Sequence, residues 1–469
     1  MGIIIAGERS GVGKTTITLA LLSWLTRLGK SIQSFKVGPD YIDPMFHTAI
    51  TGKSCRNLDP ILTSPDYVKW CFDYYTQDKD IAIVEGVMGL FDGVPNSQNA
   101  HYGSTAYIAK LLNLSVILTL DCSKISSSIS AIASGYINFD PEVKIVGVIL
   151  NKVASEKHLS LLKVGLEKLN IPIMGVWFKH QKIELPSRHL GLIPTEEVTQ
   201  HQQIFQQLGE LAKQNINWQL LNQYLYSDKL TKKVNYFLFK NNNKYPLKIA
   251  IAKDKSFNFY YQDNLDILKY LGIELIEVSP LEDKNLPSDI HGIYLGGGFP
   301  EIFASQLSEN KSFQTSIKKK IENGIPTYAE CGGMMYLSAG IEDFRGDKWE
   351  MVGILPHFTV MSNKLTIGFR QVKTLIANDF ININQTLMGH EFHRAVDSFQ
   401  PTPYQIDKSS APMLELKDYY TQKIISYQGW QRYNVFGSYL HLHFGELIPQ
   451  LETFLQGCLS WRDRAKNRL

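Results

Sequence analysis

The sequence predicts an α/β protein of two domains, and three observations carry that expectation. A chain of 469 residues exceeds what one hydrophobic core usually supports. Its first part alternates short apolar runs with helix-length stretches. The runs lack clean polar alternation, as a parallel sheet covered on both faces requires. Finally, the composition shifts after Pro194: Gln and Asn crowd Thr199–Gln223, and Asn241, Asn242 and Asn243 follow in a row. The reading is a doubly wound, mostly parallel N-terminal domain over 1–227, a linker over 228–246, and a second α/β domain over 247–469.

Taken in order, Ile3–Ala6, Ser31–Val37, Ile81–Glu85, Ser115–Asp121, Lys144–Leu150 and Ile171–Val176 read as strands. Thr15–Leu28, Pro65–Thr76 and Glu156–Asn170 read as the helices between them, and Thr199–Gln223 as polar-faced helices. From Leu247 a new pattern begins. Lys248–Ala252, Glu274–Val278, His291–Leu295 and Ile325–Glu330 are strands, with a helix over Asp263–Leu271. The halves share a layer type but no repeat period.

The totals narrow the function. With 44% apolar and 20% charged residues, wholesale disorder is excluded. A net charge of +3 argues for neither nucleic acid nor an anionic membrane as partner. The five cysteines (Cys55, Cys71, Cys122, Cys331, Cys458) form no C-x-x-C pair and no disulfide framework. Met1 runs straight into a strand, leaving no room for a signal peptide, and no apolar run is long enough to span a bilayer. The chain reads as cytoplasmic.

Ile3-Ile4-Ile5-Ala6 leads into Gly7-Glu8-Arg9-Ser10-Gly11-Val12-Gly13-Lys14-Thr15-Thr16. A glycine-rich turn before a helix lets backbone N–H groups converge on phosphate where the helix dipole also favours an anion. Gly11, Val12, Gly13 and Thr16 would line that turn, Lys14 would reach the outer phosphates of a nucleotide, and Thr15 would ligate Mg²⁺. The first glycine stands one residue further from Gly13 than in the standard loop. Loops at the carboxyl ends of neighbouring strands share one crevice. Asp40 and Asp43, in Lys36–Pro44, and Glu85 and Asp92, in Glu85–Gly93, are therefore candidates for holding Mg²⁺ or positioning an acceptor. Asn151, after another strand, suits either a bond to a nucleotide base or an ordinary loop.

In the second half, Ile325–Glu330 turns through Cys331-Gly332-Gly333 into a helix beginning at Met334. A nucleophile on such a turn needs small neighbours, which Ala329 and Gly333 supply. The helix N-terminus is expected to favour the thiolate. Leu295–Glu301 follows a strand and offers backbone N–H groups suited to an oxyanion hole, at Gly297 together with Gly332. His441 and His443 are both candidate bases, because strand alternation would place them on one face.

Together, Lys36–Pro44, Glu85–Gly93, Leu295–Glu301, Ala329–Leu337 and Ser438–Phe444 resemble the cobyrinic acid a,c-diamide synthase family of cobalamin biosynthesis. The similarity runs over essentially the whole chain, in order. It implies a dethiobiotin-synthetase type of phosphate-loop domain followed by a class I glutamine amidotransferase domain. It also implies Cys331 as nucleophile and His441 as its base, since related cobyric acid synthases keep a histidine after Tyr-Leu. Asp40, Asp43, Glu85 and Asp92 match acidic positions used for Mg²⁺ and substrate activation, with Thr15, Asp43 and Glu85 as the implied metal set. The expected reaction amidates the a and c carboxylates of cobyrinic acid with glutamine and ATP through an acyl phosphate. Two departures stand out. Glu8-Arg9 replaces small residues in the loop, and His443 occupies the place where class I enzymes usually carry a Glu. The same chemistry on another tetrapyrrole, such as nickel-sirohydrochlorin, is the nearest alternative, and a non-catalytic nucleotide-binding switch is the alternative from another class. A homodimer is left open.

Overall fold

A computed structural model describes residues 2–96, 99–181, 183, 187–188, 191–192, 201–226, 245–377, 380, 382, 384–398 and 413–466. The chain divides into two compact units, Met1–Pro60 with Ser64–Phe237 and Ile61–Thr63 with Leu238–Leu469. Apart from Tyr245 and Pro246, the segment expected as linker lies outside the described residues.

In the first unit the strands are β1 (Gly2–Gly7), β2 (Ile32–Val37), β3 (Arg56–Leu58), β4 (Ile81–Glu85), β5 (Ser115–Asp121), β6 (Ile145–Val153) and β7 (Ile173–Phe178). They form one sheet in the order β3-β2-β4-β1-β5-β6-β7, and every neighbouring pair is parallel. Ile3, Ile4 and Ile5 of β1 are all fully buried, so both faces of the sheet are covered. Each such side chain contributes about 1.5–3 kcal/mol by leaving water.

The covering helices are α1 (Lys14–Arg27), α2 (Ile42–Thr51), α3 (Pro65–Thr76), α4 (Thr105–Leu111), α5 (Ile129–Phe139), α6 (Glu156–Glu167), α7 (His201–Asn215) and α8 (Trp218–Leu225). A two-residue ribbon, β8 (Ser187–Arg188) with β9 (Gly191–Leu192), precedes α7. Ser64, Ser104 and Ser155 cap α3, α4 and α6 by accepting from backbone N–H groups. Helix α1 differs. Its N-cap is Gly13, with no side-chain cap and no acidic residue in the first turn, so its N-terminus stays open to an anion.

The second unit holds β10 (Leu247–Ala252), α9 (Gln262–Tyr270), β11 (Ile273–Val278), β12 (Gly292–Leu295), α10 (Ala304–Glu309), α11 (Lys311–Glu322), β13 (Thr327–Glu330) and α12 (Gly332–Leu337). After these come β14 (Gly340–Glu342), β15 (Lys348–Glu350), β16 (Phe358–Thr374), β17 (Thr386–Asp397), β18 (Leu414–Asp418), β19 (Ile424–Gln428), β20 (Trp430–Arg432), β21 (Val435–Ser438) and α13 (Ile448–Lys466). The main sheet runs β11-β10-β12-β13-β21-β20, parallel except for the β20–β21 pair. Strand alternation sorts its side chains between two cores. Ala250, Ile293, Leu295 and Ala329 enter one, while Ile249, Ile251, Tyr294 and Tyr328 enter the other. A second sheet, β15-β14-β16-β18-β19 with β17 paired to β16, is largely antiparallel.

Candidate functional site

In the first unit, β1, β2 and β4 deliver their loops to one crevice. The backbone turns left-handed at Gly11 (φ 76°) and Gly13 (φ 101°), a conformation glycine adopts without strain. A Cβ on Gly13 would also stand 2.3 Å from Asn151 Nδ2. The Asn151 amide donates to the Val12 carbonyl at 2.7 Å, and its oxygen accepts from Lys152 N at 2.9 Å. Asn151 thus braces the loop, and both ends of its amide are engaged within the protein.

Lys14 is buried and donates to the carbonyls of Arg9 (3.2 Å) and Met88 (2.5 Å). Burial, reinforced by the nearby Lys36 charge, lowers it to about 8. Thr15 Oγ1 donates to Glu85 Oε1 at 2.6 Å and lies 3.3 Å from Asp43 Oδ2. Lys36 bonds the same two carboxylates, at 2.6 Å to Asp43 and 2.8 Å to Glu85. Burial and the Asp40 charge lift Asp43 to about 7 against the pull of Lys36. Burial also acts to raise Glu85, but Lys36 and His47 outweigh it and hold that carboxylate well below its ordinary range. Asp40 accepts from the N–H groups of Ile42 and Asp43, fixing the start of α2. Asp92 accepts from Gly89 N at 2.7 Å. A hydroxyl and two carboxylates are hard oxygen donors of the kind Mg²⁺ takes, and a cation, the Lys36 ammonium, already lies between the carboxylates. Among the described residues no three His, Cys, Asp or Glu side chains make a metal cage by themselves.

Two residues here escaped the sequence reading. Lys36 stands inside the motif that nominated Asp40 and Asp43, yet a strand lysine reads as an edge charge until the fold buries it. His47 lies one helical turn beyond Asp43 and bonds Glu85 at 2.8 Å, with its other nitrogen 3.4 Å from Cys55 Sγ. Burial acts to lower His47, but the Cys55 sulfur and Glu85 outweigh it and bring it up to about 10.

In the second unit, β13 ends at Glu330 and α12 starts at Gly332, leaving Cys331 on the turn with φ 45° and ψ −104°. That backbone is strained for a residue with a Cβ, and the Cys331 N–H is anchored on the Ser438 carbonyl at 2.7 Å. Gly333 packs so closely that a Cβ there would lie 2.3 Å from the Leu295 carbonyl oxygen. The thiol differs from expectation. Burial and the Glu301 carboxylate push it up, and the Gly332 N–H only partly offsets them, so the resting sulfur is protonated. One turn of helix does not overcome full burial.

The glycine loop after β12 reaches both candidate partners of Cys331. A Cβ on Gly297 would stand 2.6 Å from His441 Cε1, and a Cβ on Gly332 would stand 3.1 Å from Gly298 N. Gly296 N–H already donates to Tyr260, and Phe299 N–H to Ser256. The loop nitrogen that lies against Gly332 is that of Gly298, while Gly297, the residue before it, packs on the His441 ring. The two histidines also part company. Strand β21 stops at Ser438, so alternation does not extend to them. His441 lies 4.0 Å from Glu330, whereas His443 lies 3.6 Å from Asp263 and packs on Tyr261. Burial, with His390 and His393 nearby, lowers His441 to about 3, so it is neutral.

Beside His441 lies a buried set the sequence reading did not include. Glu391 accepts from Arg370 (2.5 Å) and Gln428 (2.7 Å), and burial notwithstanding, His393 and Arg370 hold it at about 2. The signal was present as a cluster of polar residues, His390, Glu391 and His393, inside one strand.

An open phosphate-loop crevice in one unit and a cysteine elbow facing a glycine loop in the other define an amidotransferase with its own nucleotide-binding domain. Residues 3–193 match the CobQ/CobB/MinD/ParA nucleotide binding domain family, and residues 248–447 the CobB/CobQ-like glutamine amidotransferase domain family. The cobyrinate a,c-diamide synthase of Synechocystis sp. is 48% identical over 99% of this chain and 95% of its own. Those of Synechococcus sp. (47%, over 98% of each chain) and Gloeobacter violaceus (39%, over 98% of this chain and 97% of its own) follow. The chain belongs to the cobyrinate a,c-diamide synthase family of glutamine-hydrolysing ligases.

Proposed function

We propose that this chain uses ATP and glutamine to amidate the a and c side-chain carboxylates of cobyrinic acid through an acyl phosphate. The observation that carries the reading is the Cys331 elbow, strained at φ 45° and followed by Gly332, which lies against the glycine loop at Gly298, in a chain related along its whole length to synthases of that name. Cys331 attacks the glutamine side-chain amide while neutral His441 takes the thiol proton. With the resting thiol protonated, transfer and attack are coupled. The N–H groups of Gly298 and Gly332 receive the oxyanion, and Gly297 seats the imidazole. His441 returns the proton to the leaving nitrogen, and water then hydrolyses the thioester to glutamate.

In the other unit, the loop over Gly11, Val12 and Gly13, with Lys14 and Thr16 at the start of α1, cradles the phosphates of ATP, and Asn151 holds the loop in shape. Mg²⁺ held by Thr15, Asp43 and Glu85 would neutralise phosphate charge. Lys36 holds the two carboxylates in place, while Asp40 and Asp92 fix the loops that face the acceptor. The acceptor carboxylate attacks the γ-phosphoryl group, ADP leaves, and ammonia displaces phosphate from the acyl phosphate. Purified protein with Mg·ATP, glutamine and cobyrinic acid should give two successive mass losses of about one unit, with phosphate released in step. Glutamine hydrolysis with no change in cobyrinic acid would move the reading to another acid, such as nickel-sirohydrochlorin.

A further inference from the structure

The His441 imidazole needs an orienting partner, because a base must present one nitrogen to the thiol and carry positive charge once the proton arrives. The position two residues on, His443, faces Asp263 and Tyr261 instead. Glu330, immediately before the nucleophile, faces His441 Nδ1. Its Oε2 lies 4.0 Å from Nδ1, and both side chains are buried, at 2% and 1% exposure. Three donors hold this carboxylate. The Tyr328 hydroxyl and the Leu442 N–H (3.1 Å) bond Oε1, and the Tyr294 hydroxyl bonds Oε2 at 3.3 Å. Leu442 follows His441 directly, so the same carboxylate also fixes the backbone that carries the base. Tyr294 lies on β12 and Tyr328 on β13, which anchors the arrangement in the main sheet.

We propose that Glu330 is the positioning residue of the Cys331–His441 pair, aligning Nδ1 and stabilising the imidazolium formed when Cys331 attacks glutamine. The inference rests on the glutaminase reading given above and supplies its missing third member from the strand side of the elbow. The sulfur–carbon bond forms as the thiol proton moves to Nε2. The carbon–nitrogen bond then breaks as that proton passes to the departing ammonia. Glu330 accepts no proton in the cycle. His441 is also faced by His390, His393 and Glu391. Of these, the two histidines oppose its charging and Glu391 assists it. Glu330 itself is lifted by burial to about 7, against the bonds from Tyr328, Leu442 and Tyr294. The carboxylate form therefore grows in across neutral pH.

The test is Glu330→Gln in the full-length protein. Glutamine hydrolysis should fall by about 10²-fold in kcat with KM within twofold, and amidation driven by added ammonia should stay unchanged. The rise of glutaminase kcat through neutral pH should be lost. Tyr294→Phe, which removes one donor to Oε2 and keeps the rest, should shift that rise to higher pH. Alkylation of Cys331 by iodoacetamide, followed against pH, should show the same two changes without turnover. Unaltered kcat and pH profile in Glu330→Gln, or an unmoved profile in Tyr294→Phe, would overturn the proposal. So would an equal loss of ammonia-driven amidation, which would mark a merely structural role. Failure of the underlying reading looks different: Cys331→Ser would then still hydrolyse glutamine.

Discussion

Gly298→Ala probes the oxyanion site through geometry alone. Gly298 has φ 154°, and a Cβ built there would stand 2.1 Å from the Ser256 carbonyl oxygen and 3.0 Å from Phe257 Cα. Both obstacles are backbone, so no side chain can swing aside, and Ser256 O is itself held by the Phe299 N–H at 3.1 Å. Real Cβ contacts do not fall below 3.0 Å, so the loop must retreat by roughly 3.0 − 2.1, or about 1 Å. A retreat of that size takes the Gly298 N–H out of hydrogen-bond range of an oxyanion whose other donor is Gly332. Losing one such donor costs about 10²–10³ in kcat, about 2.7–4 kcal/mol of transition-state stabilisation. The assay compares glutamate release from glutamine with amidation driven by added ammonia. The first should fall by that factor while the second persists, which also shows that the chain is folded. Glutaminase within threefold of the unmodified protein would refute the assignment of Gly298.

Three further outcomes are expected. Cys331→Ser should abolish glutamine-dependent amidation and retain the ammonia-dependent reaction, as product mass will show. Asp43→Asn should do the reverse: amidation should fall by at least about 10²-fold with either nitrogen source while glutamine hydrolysis continues, measured side by side. His47→Gln should destabilise by roughly 1.5–3 kcal/mol below pH 6.5, because a charged hydrogen bond to Glu85 is lost. His47 is raised on folding, so its contribution is complete below the unfolded value of 6.5 and disappears as pH rises to about 10. Urea denaturation across that window should show the two proteins converging. A constant gap would argue against a charged His47.

How legible all this was depends on whether the cause is local. The strands of the first unit could be read because a parallel sheet buried on both faces demands continuous apolar runs such as Ile3–Ala6. The phosphate loop could be read because glycines, Lys14 and Thr15 must stand in fixed chain order. Cys331 carried its small neighbours with it. By contrast, β14 to β19 were not anticipated. Strand β16 spans 17 residues with no consistent buried face, so alternation gives no steady signal there.

The sequence alone thus determined the α/β layering common to both units, the loop and the elbow, since each is a short-range demand of backbone sterics on residue type. Tertiary structure decided which groups meet across long separations. It brought His441 and Glu330 together, 111 positions apart in chain number. It set Gly298 against Gly332 and Gly297 against the His441 ring, and buried Cys331 deeply enough to keep its proton. It also placed Lys36 between Asp43 and Glu85. Charge, burial and ångström-scale contact depend on what the rest of the chain packs against each group, and chain order near the residue does not encode that.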